Sequence, residues 1–204
     1  MEQLLKGGLM MIPLALCSVV AAVVAFERLL ALRRSKVVPA RIAEVAELAR
    51  PDRDLSVAIE VCERNPGVFS NILRVGLESA NLPWEHAREA VLEAGRQETP
   101  RLERHLVWLE TVAGVAPLLG LLGTVLGMIK TFASIAAMGL GDPQVLSAGI
   151  SEAMITTATG LGIGIPALIF YNLLSARAEN LVIEIEQRVS LMLARWKPRE
   201  SGGA

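Results

Sequence analysis

Three stretches of this chain, residues 7–26, 111–129 and 153–176, contain no charged side chain. Each provides the roughly 20 apolar residues that an α-helix needs to cross the core of a bilayer. Backbone groups surrounded by lipid must form their hydrogen bonds internally, and a helix does this within one segment. The sequence therefore predicts an all-α membrane protein with three transmembrane helices.

The first stretch has an alternative interpretation as a secretory signal peptide. Lys6 precedes it, and Val23, Val24 and Ala25 would form a weak cleavage site. The apolar run is longer than the roughly 7–15 residues typical of a signal peptide, and charged residues follow it at once. We therefore expect a retained transmembrane helix.

Basic residues near the span ends predict the orientation, because Lys and Arg are retained on the cytoplasmic side. They follow the first span, precede the second and follow the third: Arg28, Arg33, Arg34, Lys36, Arg101, Arg104 and Arg177. The connection between the second and third spans carries only Asp142 as a charge. We expect this connection and the N-terminus to face outward, and the middle segment and C-terminus to face the cytoplasm.

These features divide the chain into six predicted segments. They are an N-terminal outward segment with the first transmembrane helix (1–32), a cytoplasmic helical region (33–106), the second transmembrane helix (107–138), an outward loop (139–149), the third transmembrane helix (150–176), and a cytoplasmic C-terminal helix and tail (177–204).

The cytoplasmic region reads as short amphipathic helices that pack on extensions of the membrane helices. Its apolar positions recur with helical spacing: Ile42, Val45, Leu48, Val57, Ala58, Val61, Cys62, Phe69, Ile72, Leu73 and Gly76. Pro100 should break the helix that leads into the second span. An apolar stripe at four-residue steps, from Leu181 to Trp196, predicts that the third span continues as a helix.

Composition and motifs exclude several classes of function. A net charge of −1 gives no electrostatic reason to expect a nucleic-acid partner. Cys17 and Cys62 lie far apart in sequence and predict neither a disulfide nor a metal site. His86 and His105 lack ligand spacing and are expected on the solvated surface. Without a nucleophile triad, phosphate-binding loop or metal motif, we expect no enzymatic activity and no cofactor.

Small residues recur at three- and four-residue steps along the second and third spans. On the second span they are Ala116, Gly120, Gly123, Gly127, Thr131 and Ser134, and on the third Ala153, Thr157, Gly160, Gly164 and Ala167. Such faces let helix backbones approach closely in lipid. Close packing by itself explains this spacing. A purely structural role for the small residues therefore remains an alternative to any functional role.

Hydroxyl groups add a second feature to these spans, because Thr124, Thr156, Thr157 and Thr159 lie in apolar surroundings. One threonine would mean little, since its hydroxyl can bond back to its own helix. Four of them near each other suggest a polar lining, where water or a carboxylate exchanges hydrogen bonds and protons hop.

Few charged residues accompany the spans. Glu152 begins the third span at its outer end, either as an acid favoured by the helix dipole or as a proton-binding group. Lys130 either extends to the interface or faces a water-filled interior. Glu27 and Arg28 are expected to anchor the first span or to pair between subunits. Because the central part of each span lacks Asp and Glu, a carboxylate that carries protons must come from another chain.

Two sequence patterns resemble a known family. The segment APLLGLLGTVLGM, from Ala116 to Met128, is similar to the second-span signature of ExbB and TolQ. In the third span, GISEAM is followed by TATGL, by the IPA that contains Pro166, and by Tyr171-Asn172, which is similar to the family's third-span pattern. The chain is therefore identified as a member of the ExbB/TolQ/MotA proton channel family, closest to ExbB and TolQ.

The resemblance implies a stator subunit of a bacterial inner-membrane motor. In this family a homopentamer encloses the single spans of an ExbD- or TolR-like dimer, whose aspartate carries the protons. The motor uses the proton motive force to act on a TonB- or TolA-like protein. Residue by residue, Thr124 and Thr157 match the pore threonines and Glu152 matches the third-span acid. Lys130 departs from the uncharged or acidic residue usual in relatives.

Other interpretations stay open. One alternative to an ExbB-like subunit, which serves outer-membrane transport, is a TolQ-like subunit, which serves envelope integrity. A MotA-type stator usually has four spans, whereas three are predicted here. Sodium is an alternative to protons, and a passive membrane scaffold would need only the small-residue faces.

Overall fold

The computed structural model describes residues 8–52, 54–138 and 143–196. These residues form helices joined by short turns, with no strand among them. In chain order the helices are α1 (Met11–Ala31), α2 (Arg34–Val37), α3 (Ala40–Leu48), α4 (Ser56–Arg64), α5 (Val68–Glu78), α6 (Trp84–Glu98), α7 (Pro100–Glu103), α8 (Leu106–Met138) and α9 (Pro143–Trp196).

Three of the described helices, α1, α8 and α9, are long and apolar enough to cross a membrane by length and composition. This agrees with the predicted all-α membrane fold. Helix α9 begins at Pro143, so residues 143–149 are helical, and the prediction that they belong to a loop is wrong. Proline is well tolerated in the first turn of a helix, where its missing N–H has no helical partner. Residues 139–142 of that loop lie outside the described residues.

Contacts divide the described chain into two compact units. The first unit consists of the described residues up to Arg28 and those from His105 to Leu173. The second consists of the described residues from Leu29 to Arg104 and from Leu174 onward.

The first unit is held together by packing of α1, α8 and α9. Its buried core joins Leu14 of α1, Val112 and Ala116 of α8, and Ala167 of α9. Apart from Leu14 these are small or β-branched side chains, which allow the helix backbones to come close. Many large apolar side chains of the same helices are exposed, including Leu118 and Met154, as expected of helices that face lipid or other subunits.

The second unit has a core built from short helices and the C-terminal part of α9. Phe69 and Leu73 of α5 are fully buried. A Cβ added to Gly76 of α5 would lie 2.9 Å from Cε of Met192 and 3.2 Å from Cγ2 of Val91, so α5, α6 and α9 meet at this glycine. The predicted α5 face is therefore correct in the structure.

Two predictions about the second unit need correction. Leu48 and Val57, assigned to apolar packing faces, are 68% and 66% exposed. Ala43 and Ala46 are buried on α3 instead. Small side chains allow α3 to pack closely through this face, which the spacing of the larger apolar residues did not indicate.

The predicted helix break at Pro100 is confirmed, since α6 ends at Glu98 and Pro100 begins α7.

Polar contacts fix α3 and the α2 region against α9. Arg34 donates to both carboxylate oxygens of Glu184, at 2.6 and 2.9 Å. Arg188 bonds to Oε1 of Glu47 at 3.2 Å, and the indole Nε1 of Trp196 donates to the carbonyl oxygen of Ala49 at 3.0 Å. These contacts join residues that are more than a hundred positions apart in the sequence.

Candidate functional site

The contact between α8 and α9 is a seam of small residues. A Cβ added to Gly160 of α9 would lie 2.6 Å from the carbonyl oxygen of Ala116 and 3.0 Å from Cα of Gly120. A Cβ on Gly120 would lie 3.1 Å from Cα of Thr157. In protein structures, a Cβ atom essentially never comes within 3.0 Å of a heavy atom of a packing neighbour. The two backbones are thus in direct contact here.

The seam continues in both directions along the two helices. Towards the N-terminal end of α8, a Cβ on Gly164 would lie 2.7 Å from Cδ of Pro117. Towards the C-terminal end of α8, a Cβ on Gly127 would lie 3.3 Å from Cβ of Ala153. The five glycines singled out by the sequence, Gly120, Gly123, Gly127, Gly160 and Gly164, all face the partner helix and are buried.

One threonine hydroxyl crosses the seam. Oγ1 of Thr157 donates to the carbonyl oxygen of Gly120 at 3.2 Å. This carbonyl belongs to α8, and in a regular α-helix it accepts a hydrogen bond from the N–H group of Thr124, one turn later. Thr157 is half-buried, so its hydroxyl stands at the edge of the seam.

The other candidate threonines bond within their own helices. Oγ1 of Thr124 donates to the carbonyl oxygen of Leu121 at 2.6 Å, and Thr124 is half-buried. Oγ1 of Thr159 donates to Ile155 at 2.7 Å. Each hydroxyl oxygen that donates in this way keeps lone pairs with which it can accept a hydrogen bond.

Thr156 lies inside the seam and not at its edge. Its side chain is 1% exposed, and a Cβ added to Gly123 would lie 2.6 Å from its Cβ. Oγ1 donates to the carbonyl oxygen of Ala153 at 2.8 Å. In the single chain Thr156 therefore packs under Gly123, whereas Thr157, the next residue, stands at the edge of the seam.

Nearer the C-terminal end of α8, an ion pair joins this helix to α9. Nζ of Lys130 lies 3.2 Å from Oε1 of Glu152. The sequence did not predict this contact, which bridges 22 positions across the connection between the spans. At the next residue of α8, Oγ1 of the buried Thr131 donates to the carbonyl oxygen of Gly127 at 2.9 Å.

The chain N-terminal to α1 reaches the same carboxylate. Gly8 has a φ of 65°, a left-handed conformation that favours glycine. A Cβ added there would overlap Oε1 of Glu152 and lie 2.9 Å from its Cδ. Glu152 of α9 thus lies against both Lys130 of α8 and the segment that precedes α1.

Comparison with known proteins decides which family this arrangement belongs to. The profile of the MotA/TolQ/ExbB proton channel family matches residues 65–187, which is more than half of the chain. The chain belongs to this family. It is an ExbB/TolQ-like proton-channel subunit and a multi-pass inner-membrane protein.

Individual relatives agree with the family assignment. The chain is 34% identical over 183 residues to an ExbB-like biopolymer transport protein of Synechocystis sp., an alignment that covers 85% of this chain and 70% of that protein. It is 33% identical over 187 residues to a biopolymer transport protein ExbB of Vibrio cholerae, covering 90% and 82%. It is 40% identical over 98 residues to the Tol-Pal system protein TolQ of Pseudomonas aeruginosa, covering 48% of this chain and 42% of TolQ.

A polar cluster that the sequence did not predict lies at the C-terminal end of α1 in this ExbB/TolQ-like chain. The guanidinium of Arg28 binds both oxygens of Glu27 at 2.6 Å, and its Nη2 lies 3.0 Å from Nδ1 of His105. Arg28 is 7% exposed. The side chain of His105 is 43% exposed and so borders solvent while it also contacts Arg28, and His86 is exposed as predicted.

In this cluster, one nitrogen of His105 lies near both a positively charged and a negatively charged side chain. Nδ1 of His105 also lies 3.3 Å from Oε2 of Glu27. Protonated, this nitrogen can donate to the carboxylate; unprotonated, it can accept from Arg28. Glu27 and Arg28 thus pair directly within one chain, and His105, 77 positions after Arg28, contacts both of them.

Pro166 lies on an exposed position of α9. Because proline has no N–H group, the carbonyl oxygen of Gly162 lacks its usual helical donor. A Cβ added to Gly162 would meet no atom within 4 Å, so the helix surface at Gly162 is open in the single chain.

Proposed function

We propose that this chain forms the shell of a proton-driven motor in the inner membrane. A homopentamer encloses the single spans of an ExbD- or TolR-like dimer, and proton flow through the assembly drives a TonB- or TolA-like protein. Each elementary charge that crosses contributes about 2.3 kcal/mol per 100 mV of membrane potential.

The observation that carries this proposal is the hydroxyl of Thr157 at the edge of the α8–α9 seam, bonded to the carbonyl oxygen of Gly120. Polar groups inside a membrane protein usually face the bundle interior or a water-filled cavity. Thr124 follows Gly120 by one helical turn and is also half-buried. Both hydroxyl oxygens retain acceptor capacity, which suits them to receive a proton-bearing group.

A second argument is that the central membrane-spanning parts of α8 and α9 contain no acidic residue that could carry a proton. Between Glu110 and Lys130 on α8, and between Glu152 and Glu179 on α9, the sequence contains no Asp or Glu. Threonine hydroxyls relay hydrogen bonds but do not ionise at physiological pH. The proton carrier is therefore a carboxylate of the single-span partner, which faces Thr124 and Thr157.

We assign different roles to the remaining candidates. Glu152 acts at the outer end of the proton pathway, and Thr156 fixes the register of α8 and α9 beneath Gly123. The five seam glycines and Pro166 shape the shell. The positive residues at the inner span ends support a periplasmic N-terminus and a cytoplasmic C-terminus.

The test is proton uptake by liposomes that contain the chain with its co-purified single-span partner. We expect Thr157→Val to lower the uptake rate at least about tenfold, equivalent to roughly 1.4 kcal/mol in the barrier. Thr159→Val is the matched control, because it removes a hydroxyl two residues away that bonds within its own helix. Equal rates in the two variants would contradict the role of Thr157.

Thr124→Val separates the motor from a passive scaffold. If the spans only pack, this substitution is silent, because Val and Thr have nearly the same shape and Thr124 bonds within its own helix. The motor predicts slower proton uptake with unchanged assembly. A silent Thr124→Val variant together with a silent Thr157→Val variant would favour the scaffold.

The similarity to TolQ supports a second candidate, a subunit of a Tol-Pal-type system. Expression of the chain in strains that lack either ExbB or TolQ distinguishes the two. We expect restored TonB-dependent transport in the first strain. Restored envelope integrity in the second strain alone would instead assign the chain to the TolQ branch.

A further inference from the structure

The proposed motor places Glu152 at the outer end of the proton pathway but gives no role to Lys130, which forms an ion pair with it. Nζ of Lys130 lies 3.2 Å from Oε1 of Glu152, which is within the range of an N–H···O hydrogen bond. The side chain of Glu152 is 26% exposed, against 64% for Lys130. The carboxylate is therefore the enclosed member of the pair, and the ammonium approaches it from the open side.

Backbone covers another part of the carboxylate. A Cβ on Gly8 would overlap Oε1 of Glu152, so the chain that leads into α1 lies directly against this oxygen. Among the described residues, Lys130 is the charged group in contact with Glu152. Lys6 and Asp142 lie outside the described residues.

An enclosed carboxylate that is ionised requires a cation nearby, because removing the charge from water is costly unless it is paired. In this chain Lys130 supplies that cation as a tethered group. Without it, the open position beside Oε1 is accessible to a small monovalent cation, and carboxylate and carbonyl oxygens are the ligands such hard cations prefer.

We propose that Lys130 is a specificity-determining residue that occupies the cation position at Glu152 and thereby excludes sodium from the outer end of the ion pathway. The inference rests on the proposed function, in which Glu152 belongs to that pathway. It assigns the choice of proton over sodium to one side chain of the second span. Arginine at this position keeps the tethered charge, whereas methionine removes it and keeps the length of the side chain.

The test is equilibrium binding of radioactive sodium to the purified full-length chain in detergent. We expect Lys130→Met to bind sodium at least about tenfold more tightly than the wild type. Lys130→Arg should behave as the wild type, and the double variant Lys130→Met/Glu152→Gln should lose the binding gained. Elution volume and helical circular dichroism establish that each variant is folded.

Two outcomes overturn the inference: tight sodium binding by the wild type, or no gain of binding by a folded Lys130→Met variant. The assay needs neither the partner nor proton flow, so its failure is distinct from failure of the proposed motor. If Lys130→Met gains sodium binding but proton uptake does not depend on Thr157, the cation site is supported and the proposed motor is contradicted.

Discussion

Thr157 donates its hydroxyl hydrogen bond to the carbonyl oxygen of Gly120, 3.2 Å away on the neighbouring helix. The contact exists only because Gly120 and Gly160 let the backbones of α8 and α9 touch. Any larger side chain in this seam would move Thr157 away from α8. The geometry of the candidate proton pathway therefore depends on the packing of the helices that form it.

The first prediction tests this packing with a matched pair of glycines on α9. Gly160→Ala should lower the melting temperature in detergent by about 5 °C, since overpacking of this kind costs about 1–3 kcal/mol. The added Cβ would lie 2.6 Å from the backbone oxygen of Ala116, whereas one at Gly162 would meet nothing within 4 Å.

Gly162→Ala is the control for helix propensity. Both substitutions favour the helix by up to about 1 kcal/mol, so the difference between them isolates the contact with α8. We expect Gly162→Ala to keep or raise the melting temperature. If Gly160→Ala is equally well tolerated, the close approach of the two backbones is not present in the protein.

The second prediction concerns the polar cluster at the C-terminal end of α1. Arg28→Met should lower the free energy of unfolding by about 2 kcal/mol, because it removes hydrogen bonds of a charged, buried guanidinium to Glu27 and His105. Thermal unfolding in detergent measures this. Arg33→Met, a change at an exposed arginine, is the control, and a similar loss in both variants would argue against the cluster.

The third prediction is a pH dependence in the second unit. The hydrogen bond from Arg34 holds the pKa of the Glu184 carboxyl below its ordinary value of 4.5, and Arg188 acts in the same direction. Because the folded state then binds the proton less tightly than the unfolded state, the pair stabilises the fold above that value and loses its effect as the pH falls.

Melting temperatures of the wild type and Arg34→Gln reveal this linkage. We expect a small difference near neutral pH that narrows as the solution is acidified towards about pH 3. Arg41→Gln, at an exposed position of α3, serves as the control. A difference that stays constant over the whole pH range would mean that the pair does not contribute through the Glu184 carboxylate.

The fourth prediction concerns the buried thiol of Cys62. Burial raises its pKa from 9.0 to about 11, and the thiolate is the reactive form. On a Cys17→Ser background, alkylation of Cys62 at about pH 8 should therefore be at least about a hundredfold slower than in the denatured chain. Rapid alkylation of the folded protein would show that the second unit opens readily.

The sequence was sufficient to predict the three spans and the small-residue faces, because both are periodic within one helix. Uncharged runs of sufficient length identify the spans, and glycines at three- and four-residue steps identify the face that packs. The pairing of α8 with α9 follows, since each carries such a face.

The sequence could not distinguish the faces of neighbouring threonines. Thr156 and Thr157 are adjacent, and only the register of α8 against α9 places the first inside the seam and the second at its edge. Contacts between distant segments were missed for the same reason, including Lys130 with Glu152 and Arg28 with His105. Each depends on how two helices are aligned, and no periodicity within one helix contains that information.

The most direct test of the proposed motor is native mass spectrometry of the intact complex, purified in mild detergent with its native neighbours. We expect a pentamer of this chain that retains a dimer of a small single-span protein carrying a membrane aspartate. A monomer or dimer of this chain without such a partner would contradict it.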